Sequence, residues 1–600
     1  MLICIMFIRS IQVRSSSGIV HEYVRVVASV REKGRVKQKV VANLGRRDTL
    51  EAILPLLERF LRGDDPQEQL AKQLAQEGPI EVLDASTWGP MLVVRHFFAE
   101  LGLWQVLDAG RRWPRLLPDE DPDDDWPSRV LALIANRLTQ PGSEHALGAW
   151  LESDYVCDRR GSRYAPCWKR QGRVQISLTQ LQCWYRTLDH LLLNKDKIEV
   201  ALYQRLRDLF DFQPELVFYD LTSTYFAGHG PANLAKHGYS RDGKPRNVQV
   251  VVGVVMVAGW PIAHHVWAGN TRDSKTVPEV VADLSKRFAF RRVVFVGDRG
   301  MVTEKNLGVL EKAEGEWGFL VGMTRRQNPE AEALIDRVDE SRWIDCPAGI
   351  AAQEKSEPPR TRVQEVSCDR AGVRVFVVDS DERRAYEQRM REKVMERARA
   401  GLQKVQARVE KGQLKRAEKI GAAVERVMQR HHGHRYYDWA LEDGRLRYFE
   451  HPVNLPREKK YEGKYLIQTD QPEMTPEEAV AQYKELNEVE RGFHALKDPI
   501  GMRPIWHRVE RRVRAHIFVA AMAFLMDRML ERALKDAGVT LSATAAWSAL
   551  QTVRHVRFRV QGQLRSGVTP GSSRARQVLK ALKLSETSPP IPPKGKETTM

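Results

Sequence analysis

Residues 216–222 read LVFYDLT and residues 293–300 read VVFVGDRG. In each stretch a short apolar run, typical of a buried strand, leads into an aspartate: Asp220 in the first and Asp298 in the second. A carboxylate on such a strand is costly unless something binds it. Because α/β proteins build their sites at the carboxyl ends of the strands, the two aspartates predict one site at one edge of a sheet.

The flanking sequence alternates between strand and helix patterns. The predicted strands and helices are, in order, strands at 216–219, 248–257 and 262–267, a helix at 276–288, a strand at 293–296, a helix from 303 and a strand at 318–323. This β-β-β-α-β-α-β order predicts the α/β fold class, with helices packed on a sheet.

A third carboxylate lies on a helix expected over 476–497, whose start is a capping box headed by Thr475. Within it Tyr483, Glu490 and Lys497 are spaced by seven residues. Because seven residues fall only about 20° short of two helical turns, the three side chains are expected to form one stripe. A hydroxyl, a carboxylate and an amine would then face the same surface.

Three carboxylates on two strands and a helix suit a pair of metal ions. Two Mg²⁺ ions can activate a water or a 3′-hydroxyl and stabilise the leaving oxygen of a phosphodiester, and hard cations prefer carboxylate oxygens. Tyr483, Lys497 and Arg491 are the candidates for positioning the sugar-phosphate chain.

The composition favours a polyanionic partner. The 600 residues carry a formal net charge of +17 and give a pI of about 9.5, which is typical of a protein that binds nucleic acid or an acidic membrane surface. No segment reaches the roughly 18 apolar residues of a membrane span. The six cysteines form no CxxC pair, so a disulfide scaffold and a zinc site are disfavoured and a reducing compartment is expected.

The residues above resemble the DDE transposases of bacterial insertion sequences, in the subgroup whose catalytic helix reads Tyr-x2-Arg-x3-Glu-x6-Lys. Tyr483, Glu490 and Lys497 match that signature, with Leu486 where arginine is expected. Residues 30–45 resemble the start of one branch of these transposases. Further similar motifs are Phe218-Tyr219-Asp220-Leu221-Thr222, Gly269-Asn270-Thr271-Arg272-Asp273, Gly297-Asp298-Arg299-Gly300 and the helix with Arg511, Arg514, Ala515, His516 and Ile517.

The resemblance implies a ribonuclease H-like mixed sheet, interrupted by an insertion before the catalytic helix. It implies that Asp220, Asp298 and Glu490 hold two Mg²⁺ or Mn²⁺ ions. The implied activity is binding of the element's ends, phosphodiester hydrolysis there, and transfer of the freed 3′-hydroxyls to target DNA. The implied assembly is a homodimer on paired ends, in the bacterial cytoplasm at the nucleoid.

The expected division of the chain has six parts. They are a small β unit (1–48), a helical region that binds DNA ends (49–212), the first part of the core (213–325), an insertion with strands and a charged helical arm (326–455), the second part of the core with the catalytic helix (456–537), and a helical segment with a disordered tail (538–600).

Several alternatives remain open. Asp242 and Asp273 are competing carboxylates in polar, glycine-containing loops, where turn chemistry is the favoured interpretation. Tyr483 suits the edge of a core about as well as a DNA contact. The mixed-charge run 381–430 is expected to be helical, with breaks near Gly401 and Gly412. A solvated helical arm is the favoured interpretation, and DNA contact is the alternative. The rival functions are a metal-dependent nuclease without strand transfer and a DNA-binding protein of transposase ancestry that no longer cuts.

Overall fold

The structure is a computed structural model that divides into two units: residues 1–87 with 553–570, and residues 88–552 with 571–600. None of its described helices combines the length and the apolar character that a membrane span requires. The described residues are 5–14, 20–32, 35–50, 54, 80–111, 125–164, 168–170, 173–212, 216–288, 290, 292–298, 303–312, 316–325, 328–347, 359–560 and 562–591.

The bounds of the strands and helices follow, numbered in chain order over the described residues. The strands are β1 (Ile5–Arg14), β2 (Val20–Glu32), β3 (Arg35–Arg46), β4 (Glu81–Thr87), β5 (Trp168–Arg170), β6 (Arg173–Gln175), β7 (Leu216–Tyr225), β8 (Gln249–Val257), β9 (Trp260–Ala268), β10 (Arg292–Gly297), β11 (Glu316–Met323), β12 (Ile344–Asp345), β13 (Thr361–Val366), β14 (Arg374–Ser380), β15 (Tyr437–Glu442), β16 (Arg445–Glu450), β17 (Lys464–Thr469), β18 (Arg554–Val560) and β19 (Gln563–Val568). The helices are α1 (Arg47–Leu50), α2 (Gly89–Glu100), α3 (Leu103–Asp108), α4 (Trp126–Thr139), α5 (Leu147–Ser153), α6 (Leu178–Leu193), α7 (Lys195–Phe210), α8 (Val277–Phe288), α9 (Glu304–Lys312), α10 (Pro329–Asp336), α11 (Asp381–Glu410), α12 (Ala417–Arg430), α13 (Asn454–Tyr461), α14 (Pro476–Lys484), α15 (Leu486–Lys497), α16 (Glu510–Asp536), α17 (Ala543–Leu550) and α18 (Ser573–Ala581).

The smaller unit contains two antiparallel sheets. The alternating residues of the first fifty positions form β1-β2-β3, and β4 joins β18 and β19 in a second three-stranded sheet. The expectation of a helical segment after residue 538 is therefore incomplete. Residues 554–560 read RHVRFRV, an alternation that favours a strand. The expected tail lies mostly outside the described residues, which end at 591.

The larger unit is built on a nine-stranded mixed sheet in the order β12-β13-β14-β17-β11-β10-β7-β8-β9. Strands β7, β8 and β9 form an antiparallel meander, while β10 and β11 run parallel to β7 on its other side. Across the sheet these five strands lie in the order β9-β8-β7-β10-β11. This is the ribonuclease H-like arrangement, and the predicted fold class is confirmed.

One face of that sheet is covered by helices α7, α8 and α9. Tyr203 from α7, Leu284 from α8 and Leu310 from α9 are buried against Val217 and Phe295 of the strands. Each such side chain stabilises the fold by about 1.5–3 kcal/mol relative to exposure. Strand β7 is thereby held rigidly, which fixes the position of the aspartate that it carries.

The expected insertion contributes to the sheet as well as forming an arm. Strands β13 and β14 extend the sheet through β17, while α11, α12 and the β15–β16 hairpin surround a hydrophobic core of their own. The expected break at Gly401 is wrong, because α11 continues through it. A Cβ at Gly401 would lie 2.5 Å from a methyl carbon of Val427, so the glycine allows α11 and α12 to pack closely. The helix ends before Gly412, which has a positive φ of 68°.

The helix expected over 476–497 consists of two helices, α14 and α15, separated at Glu485. The capping box at Thr475 is present: its hydroxyl accepts the Glu478 N–H, and the Glu478 carboxylate accepts the Thr475 N–H. The interruption separates Tyr483, on α14, from Glu490 and Lys497, on α15.

Candidate active site

The register of two parallel strands brings the first two carboxylates together. Tyr219 of β7 is paired with Gly297 of β10, so the next residues along each strand, Asp220 and Asp298, are neighbours at the same edge of the sheet. The two aspartates are therefore neighbours, as expected, but only Asp298 follows the end of its strand. The expectation of a strand end is wrong for Asp220, because β7 continues beyond it to Tyr225. Arg299 and Gly300, which complete the second motif, lie outside the described residues.

Helix α15 brings the third carboxylate to the same place. It packs across β7 and against α16, with Val489, Phe493 and Leu496 buried on its inner face. A Cβ at Gly492 would lie 2.7 Å from a ring carbon of Phe524, so only a glycine permits this close approach to α16. Glu490 therefore faces the sheet edge from above.

The three carboxylates line one open cavity of about 260 Å³, which we call the acidic cavity. Its lining also includes residues that the sequence did not single out for the site. The full lining is Asp220, Leu221, Thr222, Arg241, Asp273, Asp298, Glu490 and Phe493. A cavity of this size holds several water molecules, each of which occupies about 30 Å³ in the liquid.

Burial and like charge perturb two of the carboxylates. Burial, and to a lesser extent the charges of Asp298 and Glu490, raise the pKa of Asp220 from 3.8 to about 7, although the Leu221 N–H donates to it at 2.7 Å. Partial desolvation and the charge of Asp298 raise the pKa of Glu490. This set of carboxylates is electrostatically unfavourable as it stands, and a bound cation would relieve it.

No described cationic side chain forms an ion pair with any of the three carboxylates. Arg241, which lines the same cavity, is paired with Asp273 at 2.8 Å. The donors are oxygens only and carry excess negative charge, so they fit a hard divalent cation such as Mg²⁺ or Mn²⁺.

The residues proposed to position DNA do not line the acidic cavity. The ring of Tyr483 lies 6.2 Å from that of Tyr465, on α14 rather than α15. Arg491 is exposed beside Glu490, and Leu486, at the position where arginine is expected, is buried. Of the predicted stripe of Tyr483, Glu490 and Lys497, only Glu490 lines the acidic cavity.

Lys497 has a carboxylate partner that the sequence did not indicate. Its Nζ lies 2.8 Å from Asp242, and Arg503 lies 2.7 Å from the same oxygen. Asp242 does lie in a turn, in which the Gly243 N–H donates to Ser240 at 3.3 Å. The turn interpretation is nevertheless incomplete, because the Asp242 side chain is 3% exposed and joins its loop to the end of α15.

A second group of ionisable residues lies elsewhere in this unit. Glu144, His507 and His516 are buried, and their ligand atoms all lie within 4.8 Å of one another; among the described residues the acidic cavity is not such a group. We call it the Glu144 cluster. Arg137 donates to His516 Nδ1 at 3.2 Å, so the other ring nitrogen donates to the Met502 carbonyl at 3.1 Å. His516 therefore has no lone pair left for a metal, and the cluster is a structural one.

Comparisons with known proteins place these observations in a family context. Residues 8–78 match the model of the IS1634 family transposase N-terminal domain, and residues 212–526, more than half of the chain, match the model of the transposase DDE domain. No curated protein matches the chain. Among solved structures it is similar to a piggyBac transposase synaptic complex with hairpin DNA determined by cryo-EM. The identity is 10%, the match covers 79% of this chain and 82% of that chain, and the TM-score is 0.36.

Proposed function

This chain belongs to the transposases with a DDE domain, and we propose that it binds the ends of its own mobile element, hydrolyses phosphodiester bonds there and joins the freed 3′-hydroxyls to target DNA. The observation that carries the proposal is the acidic cavity, in which carboxylates from β7, the end of β10 and α15 face one another without a cationic partner among the described side chains.

The DDE domain implies the use of divalent metal, and we assign two Mg²⁺ or Mn²⁺ ions to Asp220, Asp298 and Glu490. Bound there, the ions would supply Lewis acidity for activating the nucleophile and stabilising the leaving oxygen.

The chain's own residues would hold the phosphate in place. Arg241 lines the acidic cavity, and its ion pair with Asp273 fixes the guanidinium at the wall. A guanidinium has five N–H donors, so further donors remain for a phosphate oxygen. Ser223, three residues after Asp220 on β7, accepts the Arg241 backbone N–H at 3.0 Å and thereby ties this loop to the catalytic strand.

The other DNA-positioning residues have different proposed roles. Arg491, exposed beside Glu490, would contact a phosphate directly. Lys497 would act indirectly, because its ion pair with Asp242 holds the loop that carries Arg241. Tyr483 packs near Tyr465 and would support α14 rather than touch DNA. Recognition of the ends by residues 49–212 and a homodimer on paired ends belong to the same proposal.

The decisive experiment is Asp298→Asn, assayed on a linear duplex that carries one end of the element. We expect DNA binding to be retained and cleavage to fall by more than about a thousandfold, since the metal contributes several kcal/mol to the transition state. Asp443→Asn is the matched control, since Asp443 is an exposed carboxylate in the turn between β15 and β16, outside the acidic cavity, and the variant should cleave like the wild type.

The same assay separates the rivals. Joined products on target DNA would exclude a nuclease without strand transfer, and cleavage by the wild type would exclude a protein that no longer cuts. Cleavage by Asp298→Asn at the wild-type rate would remove this aspartate from the mechanism.

A further inference from the structure

A row of cations runs along the outer face of α11, the long helix of the arm. The row, which we call the basic stripe, consists of Arg389, Lys393, Arg397, Lys404, Arg408 and Lys411, all exposed. At 3.6 residues per turn these positions fall within about 100° of the helix circumference. The buried residues of α11, from Met395 to Val405, lie on the opposite side and pack into the core of the arm.

The basic stripe differs from an ordinary solvated helix face in its ion pairing. None of its six cations forms an ion pair with a described side chain, and the acidic residues Glu392, Glu396 and Glu410 lie outside its arc. Other arginines of the helix are paired. Arg383 lies 3.2 Å from Glu387, and Arg391 lies 2.5 Å from Glu462.

Two apolar side chains extend the same face at its amino-terminal end. Tyr386 is 57% exposed and Met390 is 44% exposed, and both fall within the arc of the basic stripe. An exposed aromatic hydroxyl beside unpaired arginines is a common composition for a surface that contacts a phosphate backbone.

We propose that the basic stripe binds the backbone of duplex DNA, without reading its sequence. From residue 389 to residue 411 the stripe is about 33 Å long, at about 1.5 Å per residue, which is close to one turn of B-DNA. Duplex DNA carries one negative charge per roughly 1.7 Å of axis, so it offers a continuous counterpart to a continuous row of cations. The proposal rests on the proposed function, which brings DNA to this protein, and assigns a contact to the arm.

The test is a pair of triple substitutions with the same change in charge. Arg397→Gln, Lys404→Gln and Arg408→Gln together remove the middle of the basic stripe. Lys419→Gln, Arg426→Gln and Arg430→Gln together remove three exposed cations from α12, in the same arm but on another helix. Binding of the full-length protein to a random-sequence duplex is measured by fluorescence anisotropy at several salt concentrations, after melting temperatures confirm that both variants are folded.

Each lost phosphate contact lowers the slope of log affinity against log salt by about 0.9, so the stripe variant should lose up to about 2.7 of slope. The α12 variant should lose less than half as much. Equal losses, or no loss in the stripe variant, would overturn the proposal. Cleavage of an element end by the same preparations tests the proposed function separately. If the wild type cleaves and the stripe variant binds DNA normally, the role of the basic stripe is rejected and the proposed function stands.

Discussion

The acidic cavity and the Glu144 cluster belong to the same unit, and both bring ionisable groups together from distant parts of the chain. In the cavity the carboxylates have no cationic partner among the described residues, and burial raises the pKa of Asp220 to about 7. In the cluster the nearby charges of His507 and Arg137 outweigh the effect of burial, and they lower the pKa of Glu144 to about 2.

The difference shows which of the two groups has its charges compensated by its own neighbours. The Glu144 cluster satisfies its own charges: Arg137 donates to His516 and to the Gly501 carbonyl, and His507 lies 3.3 Å from Glu144. The acidic cavity leaves a surplus of negative charge at an open edge. A surplus of this kind reduces the stability of the fold but prepares the site for a cation, and such groups concentrate at functional sites.

The largest expected effect falls on the complete cluster. Glu144→Gln should lower the free energy of unfolding by about 3–5 kcal/mol, because it leaves buried positive charge without compensation. Urea denaturation in metal-free buffer would measure it. The control is Glu490→Gln, which removes a like charge from the acidic cavity and should leave stability unchanged or slightly higher. Equal losses in the two variants would mean that the cavity is also self-compensated.

The second effect is stabilisation by metal. Mg²⁺ or Mn²⁺ at about a hundred times its dissociation constant should raise the free energy of unfolding by about 2.7 kcal/mol. The gain should disappear in Asp220→Asn and persist in Asp273→Asn. A gain that persists in Asp220→Asn would place the ion elsewhere and contradict the contrast between the two regions.

The acidic half of this contrast could be predicted in part from the sequence, because two of its carboxylates lie in recognisable local patterns. Asp220 and Asp298 each come at or near the end of an apolar run, and the parallel pairing of those runs follows from the α/β order. Glu490 on its own is an ordinary helix residue, and its place at the site came from the spacing of a family signature. The expected continuous helix is two helices in the structure. The interruption at Glu485 could not be predicted, because no glycine or proline lies there.

The long-range ion pairs could not be predicted, because no periodicity links their members. Lys497 and Asp242 are 255 residues apart. The Glu144 cluster joins Arg137 of α4 and Glu144 to His507 and His516, which follow α15. No local sequence pattern indicates these contacts either. Such contacts depend on how helices pack against the sheet, and no regular residue spacing in a single sequence indicates that packing.

The third effect, which is the smallest for a change of one pH unit, is a pair of opposite pH dependences in the metal-free protein. The folded Asp220 carboxyl, with a pKa of about 7 against the usual 3.8, keeps a proton that the unfolded chain releases between these values. Its contribution to stability therefore falls as pH rises from about 4 to about 7, by at most about 1.4 kcal/mol per pH unit. Glu144, with its pKa lowered from 4.5 to about 2, contributes stability that is present above 4.5 and lost as pH falls through about 2. The difference in unfolding free energy between wild type and Asp220→Asn should thus slope downward with pH, and that between wild type and Glu144→Gln should slope upward at lower pH. Two slopes of the same sign would show that the acidic cavity carries no surplus charge for a cation to neutralise.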